Sequence, residues 1–318
     1  MSPRSRADTA PVMPRRERSA LQVLVIGEAL IDIVQNGHDS TEHVGGSPAN
    51  VALGLGRRGI PVGLLSQLGN DSRGRRIIDH LEASGVTVLG ESLTGASTST
   101  ARASIQPDGQ AVYDFDIEWG RVRPPLGIAP RVIHTGSIAS FLAPGAASVL
   151  DLLREADAPE ITFDPNIRPA LVGRRSEALG AYESFARVAT VVKMSDQDAE
   201  WLHPGATIDQ VADELLALGP ALVALTMGER GALIATACHR LVVPGMPVTA
   251  VDTIGAGDTF MSSVIRSVLA HGSAGLDLPT LERLGRDAVH AASLTVSRAG
   301  ADLPWQRELE AAEVAAVV

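Results

Sequence analysis

Residues 21–34, LQVLVIGEALIDIV, begin with a nearly unbroken apolar run that stops at Gly27. A run of that length without polar alternation predicts a strand buried on both faces. SPANVALGLGRRGI (47–60) follows at helical spacing, with Pro48 at the helix start and Ser47 as the expected cap. VGLLSQLG (62–69) reads as a second strand, and RGRRIIDHLEASG (73–85) as an amphipathic helix closed by Gly85. The segments RVIHTG (131–136), EITFDPN (160–166), VATVVKMS (188–195) and ALVALTMG (221–228) are further short apolar strands. Helical patterns lie between them at about 144–156, 176–187 and 207–218. The last third ends in two more, GDTFMSSVIRSVLAHG (257–272) and TLERLGRDAVHAASLTVSRAGA (280–301). This alternation predicts an α/β fold: a central, mostly parallel sheet with helices on both faces.

Two stretches depart from the rhythm. Residues 32–46 and 98–120 alternate polar and apolar positions, and the second contains PDGQ (107–110), a hairpin turn signal. They predict antiparallel strands exposed on one face and inserted between βα units, forming a small β-sheet lid over one edge of the main sheet. Residues 1–20 carry five arginines and no apolar periodicity, so they are expected to be a disordered tail before a single folded domain spanning 21–318.

Composition narrows the function classes. The net charge of −10 and pI near 5.3 disfavour a nucleic-acid partner, because phosphate attraction needs clustered basic side chains. Lys193 is the only lysine, so nearly all the positive charge is arginine. Cys238 is the only cysteine, which rules out an intrachain disulfide and a cysteine-based zinc site and points to a reducing, cytoplasmic compartment. No apolar run reaches the length of a membrane span, so no membrane partner is expected.

The candidate chemistry is in DTIGAGDTF (252–260). An extended segment, VPGMPVTAV (243–251), leads into it, and a helix begins at about Gly257. Backbone N–H groups at the start of a helix have no intrahelical acceptor and lie at the positive end of the helix dipole, which makes an anion site. Glycines let the anion approach closely. Asp258 sits in the same turn, where a carboxylate repels a bound anion. It makes sense as a general base that takes a proton from a hydroxyl attacking that anion. A glycine-rich helix entry capped by Asp258 is the alternative that these residues leave open. Two other phosphate-binding schemes fail. The only lysine is followed by Met194, so there is no Walker A loop, and GEALID (27–32) has one glycine where a dinucleotide fingerprint needs three.

Taken together, DTIGAGDTF and GGSPANVALGLGRRG (45–59) resemble the two signatures of the ribokinase-like (PfkB) carbohydrate kinase family, over about Val23 to Gly300. The resemblance implies a central sheet with helices on both sides, a β lid, and ATP-dependent phosphorylation of a sugar hydroxyl. It implies Asp258 as catalytic base and Gly255, Ala256 and Gly257 as the anion hole. It implies sugar contacts from Asp32, Gly45, Gly46 and Asn50, the carboxylate being suited to paired hydroxyls. Arg168, in ITFDPNIRP (161–169), matches a clamp on the nucleotide or phosphorylated sugar. Thr226, Gly228 and Gly231 in LTMGERGAL (225–233) match the strand-turn beside the nucleotide, and HAASLTVSRAGA (290–301) the wall of the adenine pocket. Many members carry Asn-x-x-Glu near the metal and phosphates, where this chain has Ser195 and Asp198. Mg²⁺ is still expected with ATP, reached from Asp198 through a water. Asp252 stands where some members bind K⁺. A homodimer through the lid is implied by analogy. GEALID with GGSPANVA looks most like fructokinase-type members, with 2-keto-3-deoxygluconate kinases and ribokinases as competitors. A catalytically silent sugar-sensing regulator is the alternative of another class.

Overall fold

The computed structural model describes residues 21–36, 39–105, 111–123 and 127–317. The N-terminal segment 1–20 and the PDGQ turn (107–110) lie outside the described residues.

Fifteen strands are described. They are β1 (Val23–Ile26), β2 (Leu30–Asn36), β3 (Asp39–Gly45), β4 (Val62–Leu65), β5 (Leu68–Gly69), β6 (Val86–Val88), β7 (Leu93–Thr94) and β8 (Thr100–Ile105). After these come β9 (Ala111–Asp116), β10 (Val132–Gly136), β11 (Glu160–Asp164), β12 (Val191–Ser195), β13 (Leu222–Thr226), β14 (Ala232–Ala235) and β15 (Arg240–Val243). Nine of them form one sheet in the order β15-β14-β13-β12-β11-β10-β1-β4-β6. From β6 to β13 every neighbouring pair is parallel, and β14 and β15 close one edge as an antiparallel meander.

The apolar strand runs are buried on both faces because helices cover both. Val23 and Val25 of β1 join a core with the helices Ser47–Arg57, Ser72–Glu82, Ala256–His271 and Leu278–Val296. Leu24 and Ile26 point the other way, into a core with Gly145–Glu155, Arg175–Ala186, Asp196–Leu202 and Ile208–Leu218. The period-2 alternation of one strand thus splits between two cores. The helix edges match the expected 144–156, 176–187 and 207–218 to within a residue or two. No described helix is long and apolar enough to cross a membrane.

The two polar/apolar stretches form a separate four-stranded sheet, β3-β2-β8-β9. Each hairpin is antiparallel, but the central pair β2 and β8 is parallel, with Asp32 opposite Ala101. That departs from a wholly antiparallel reading. The two stretches are far apart in sequence and enter the sheet from separate crossovers, so nothing forces the second hairpin to reverse against the first.

The expected cap of the 47–57 helix is also different. Gly46 is the N-cap and Ser47 is the first helical residue, with no side-chain capping bond. The Ser47 hydroxyl has a distant partner instead.

Candidate active site

Strands β1, β10, β11, β12 and β13 end at Ile26, Gly136, Asp164, Ser195 and Thr226 along one edge of the parallel sheet. In open α/β folds the crevice beyond these carboxyl ends is where ligands bind. The helices 47–57 and 256–271 start on this side and pack against each other.

Asp258 lies in the first turn of the 256–271 helix, whose N-cap Gly255 is left-handed at φ 79°. It is 7% exposed. Ser47 Oγ donates to its Oδ1 at 2.7 Å, and Asn50 Nδ2 donates to its Oδ2 at 2.8 Å. The two glycine-rich motifs, more than two hundred residues apart, therefore meet on one carboxylate. Burial raises the Asp258 pKa above the usual carboxylate range; Ser47, Asn50, Lys193 and Arg168 act in the opposite direction. Gly257 and Asp258, as first-turn residues, have N–H groups without intrahelical acceptors. The Ala256 N–H already donates to Thr253 O at 3.3 Å. The N–H of Asp258 thus stands beside those of Gly255, Ala256 and Gly257 in this turn.

Asp32 projects from β2 over Gly45 of β3. A Cβ on Gly45 would lie 1.9 Å from Asp32 Oδ2, and one on Gly46, at φ +104°, would lie 2.6 Å from the Glu28 carbonyl oxygen. The glycine pair makes room for the acidic side chain and the β1–β2 turn. Burial raises the Asp32 pKa, partly offset by Arg168 and His43. Asn50, expected against a ligand, donates one amide hydrogen to Asp258 and keeps its second N–H and Oδ1. Arg168 is exposed, and its positive charge acts on Glu28, Asp32 and Asp258 together.

On the other side of Asp258, Ser195 and Thr226 are register partners at the ends of β12 and β13. Thr226 Oγ1 donates to Met194 O at 3.4 Å. Gly228 opens a 3₁₀ turn that Gly231 closes, with Met227 N–H donating to Gly231 O at 2.7 Å. Asp198 has a structural task. It forms a capping box with Ser195 at the start of the 196–202 helix and accepts the Ile167 N–H at 2.9 Å. Asp252 accepts from Ile254 N–H at 3.0 Å and Gly300 N–H at 2.9 Å, which ties the glycine turn to the 298–302 segment. Among the described residues no group of three or more His, Cys, Asp or Glu gathers to hold a metal. These side chains fit a cation brought in on phosphate oxygens, with one carboxylate nearby, and not a cage built by the protein.

The pfkB family carbohydrate kinase profile matches residues 20–308. The chain belongs to the pfkB family of carbohydrate kinases. Its members are phosphotransferases that act on sugar hydroxyls, and this chain is a fructokinase-type member. It is 32% identical over 259 residues to a fructokinase of Rhizobium leguminosarum bv. trifolii, covering 77% of this chain and 79% of that one. It superposes on an ATP-bound fructokinase of Xylella fastidiosa with a TM-score of 0.81 at 24% identity, covering 93% and 99% of the two chains. A Vibrio cholerae O395 fructokinase with fructose, ADP and calcium ion bound matches with a TM-score of 0.75 at 25% identity, over 92% and 99%.

Three residues of this pfkB site were not singled out from the sequence. Ser47 reads locally as a helix cap, and only the tertiary contact reveals its bond to Asp258. Glu28 is buried between β1 and β2, and burial pushes its pKa up to about 7 against hydrogen bonds from Ser137 and Ala139. Lys193 is buried in β12, with Nζ 2.8 Å from Asp164 Oδ2. Its one available signal was being the only lysine, inside an apolar strand.

Proposed function

We propose that this kinase transfers the γ-phosphoryl group of ATP to a hydroxyl of fructose, with Asp258 as the general base. The observation that carries the reading is the Asp258 carboxylate in the first turn of the 256–271 helix, gripped by Ser47 and Asn50. A helix start attracts anions, and a fixed carboxylate there weakens that attraction. It is useful where a hydroxyl must lose its proton while attacking a phosphoryl group.

In this scheme the sugar lies between Asp32 and Asp258. Asp32 accepts hydrogen bonds from two hydroxyls, and the Gly45–Gly46 turn allows close approach. The attacking oxygen gives its proton to Asp258 and forms the new P–O bond as the bond to the ADP oxygen breaks. Gly255, Ala256 and Gly257 frame the hole in which N–H groups meet the charge on the phosphoryl oxygens. Arg168 clamps phosphate from the solvent side. Thr226, Gly228 and Gly231 border the nucleotide. Magnesium arriving with ATP would supply positive charge against the phosphates. Asp198 would meet that ion through water, because one of its oxygens holds Ile167 N–H. Asp252 would face K⁺ beside the glycine turn. The four-stranded sheet acts as the lid and, with Val34 exposed on it, pairs two copies into a homodimer. Sugar phosphorylation by ATP suits the cytoplasm, as does an exposed free Cys238.

The similarity to fructokinases supports fructose as acceptor. ADP release measured with fructose, ribose, 2-keto-3-deoxygluconate and adenosine tests it. Fructose is expected to give the highest kcat/KM. A tenfold lead for ribose or adenosine would overturn the substrate, and a lead for 2-keto-3-deoxygluconate would replace the sugar within the same chemistry. No turnover with any acceptor would favour a sugar sensor.

A further inference from the structure

Every positive side chain but one in this protein is arginine, and the exception is placed where no surface role is available. Lys193 is in the middle of β12, 4% exposed, in a strand otherwise buried among apolar residues. Its ammonium is 2.8 Å from Asp164 Oδ2 at the carboxyl end of β11. The other Asp164 oxygen is sealed from solvent without a hydrogen-bond partner. A buried pair of this kind is weak as a stabilising device, since apolar residues of similar volume generally serve a core as well.

The position of the ammonium suggests another task. A Cβ on Gly257 would lie 2.9 Å from Lys193 Nζ. The charge therefore presses directly against the first turn of the 256–271 helix, and a glycine is what leaves it room. A compact ammonium fits behind a helix turn where a planar guanidinium would not. There it adds a full charge to the partial positive charge of the helix start.

We propose that Lys193 is a positioning residue for phosphoryl transfer: its buried ammonium fixes positive charge behind Gly257, which readies the glycine turn for the γ-phosphoryl oxygens and keeps the neighbouring Asp258 ionised. The inference rests on the reading of Asp258 as base. The charged groups around Asp258 are Lys193 from β12, Arg168 from the segment after β11, and Asp164, whose negative charge opposes them. Asp198 also acts on Lys193. The helix 47–57 contributes only the neutral donors Ser47 and Asn50. Asp164 thus holds the lysine, and the lysine holds the turn.

Two measurements test this. The first compares wild type with Lys193→Met and with the paired variant Lys193→Met/Asp164→Leu, which replaces the ion pair by apolar volume. The acidic limb of the kcat–pH profile is expected to move up by about one pH unit, a tenfold change in the ionised fraction of the base. The KM for fructose should stay within about twofold of wild type, because Lys193 does not border the sugar. A folded variant with an unmoved limb and wild-type kcat overturns the proposal. The second uses wild-type protein, so it does not depend on variants folding. Lysine-selective ¹⁵N labelling gives a single side-chain ammonium resonance, that of Lys193. Fructose alone should leave it nearly in place, and fructose with ADP and fluoroaluminate should shift it. A resonance that ignores the transition-state mimic overturns the proposal. An active Asp258→Asn enzyme would instead refute the base, whatever the lysine signal does.

Discussion

Asp258 and Asp164 are both sealed at the carboxyl edge of the same sheet, and they are held in opposite ways. Asp258 is met by two neutral donors, Ser47 and Asn50, and its charge is compensated only from a distance. Asp164 is met by a full ammonium, while its second oxygen has no partner. Burial raises both, Asp164 to about 6. The contrast separates two uses of a buried carboxylate. Neutral donors orient a group and leave it able to take a proton, whereas an ammonium in contact favours the ionised form against the effect of burial. Asp258 has the environment of a reagent, and Asp164 that of a support.

Breaking the support should have the largest effect on the fold. Asp164→Ala leaves the Lys193 ammonium buried without a counter-charge, and losing one partner of a buried pair typically costs about 3–5 kcal/mol. Denaturant unfolding would read this directly. A loss below about 1 kcal/mol would mean that the pair contributes little and that water reaches Lys193.

A smaller effect is expected from loosening the reagent. Asn50→Ala removes one of the two donors on Asp258. A hydrogen bond to a charged group contributes about 1.5–3 kcal/mol, or about ten- to a hundredfold in kcat if it acts on the transition state. KM for ATP should change little. An unchanged kcat with a raised sugar KM would return Asn50 to the sugar-contacting role expected from the motif. Asp32→Ala supplies the complementary case. Among the described residues nothing donates to its carboxylate, so a raised KM for fructose with unchanged KM for ATP is the expected pattern; equal rises in both would point to the lid.

Glu28 sharpens the comparison further, as a buried carboxylate that among the described residues makes no ion pair and feels only the charge of Arg168. Its pKa is raised from 4.5 to about 7 in the folded protein. Folding therefore favours the protonated form, so its contribution is full below the unfolded value and is lost as pH rises through 7. Glu28→Gln removes that loss, and its gain in Tm over wild type should be larger at pH 8 than at pH 5. Equal shifts at both pH values would show that Glu28 titrates normally.

The parts of this molecule that were legible in the sequence are the ones written in local patterns. Strand runs such as 23–26 and helices such as 208–218 are set by periodicity and end signals, and they fall where expected. DTIGAGDTF was legible as a glycine-rich helix start carrying an acidic residue, and Gly255 is indeed the N-cap with Asp258 in the first turn. The parts that were not legible depend on long-range pairing. Ser47 looks like a cap in its own helix, and its real partner is 211 residues away. The Ser195/Asp198 departure from Asn-x-x-Glu reads as altered metal chemistry, and in the fold it is a capping box tied to Ile167. Lys193 reads as an anomaly of composition, and its meaning appears only once β12 is laid under Gly257. The parallel pairing of β2 with β8 follows from crossovers that no strand pattern records.

The central claim is that Asp258 is the base, and the most direct test is Asp258→Asn. The amide keeps the size of the side chain and removes the proton acceptor. Turnover of fructose by ADP release should fall by about 10²–10⁴-fold, the usual contribution of a general base. Fructose and ATP affinities, measured by calorimetry on the same variant, should change far less. The Tm at neutral pH should hold or rise, because a buried carboxylate with a raised pKa is a cost to the fold that the amide does not carry. Turnover within tenfold of wild type, with both ligands still bound, would contradict the account.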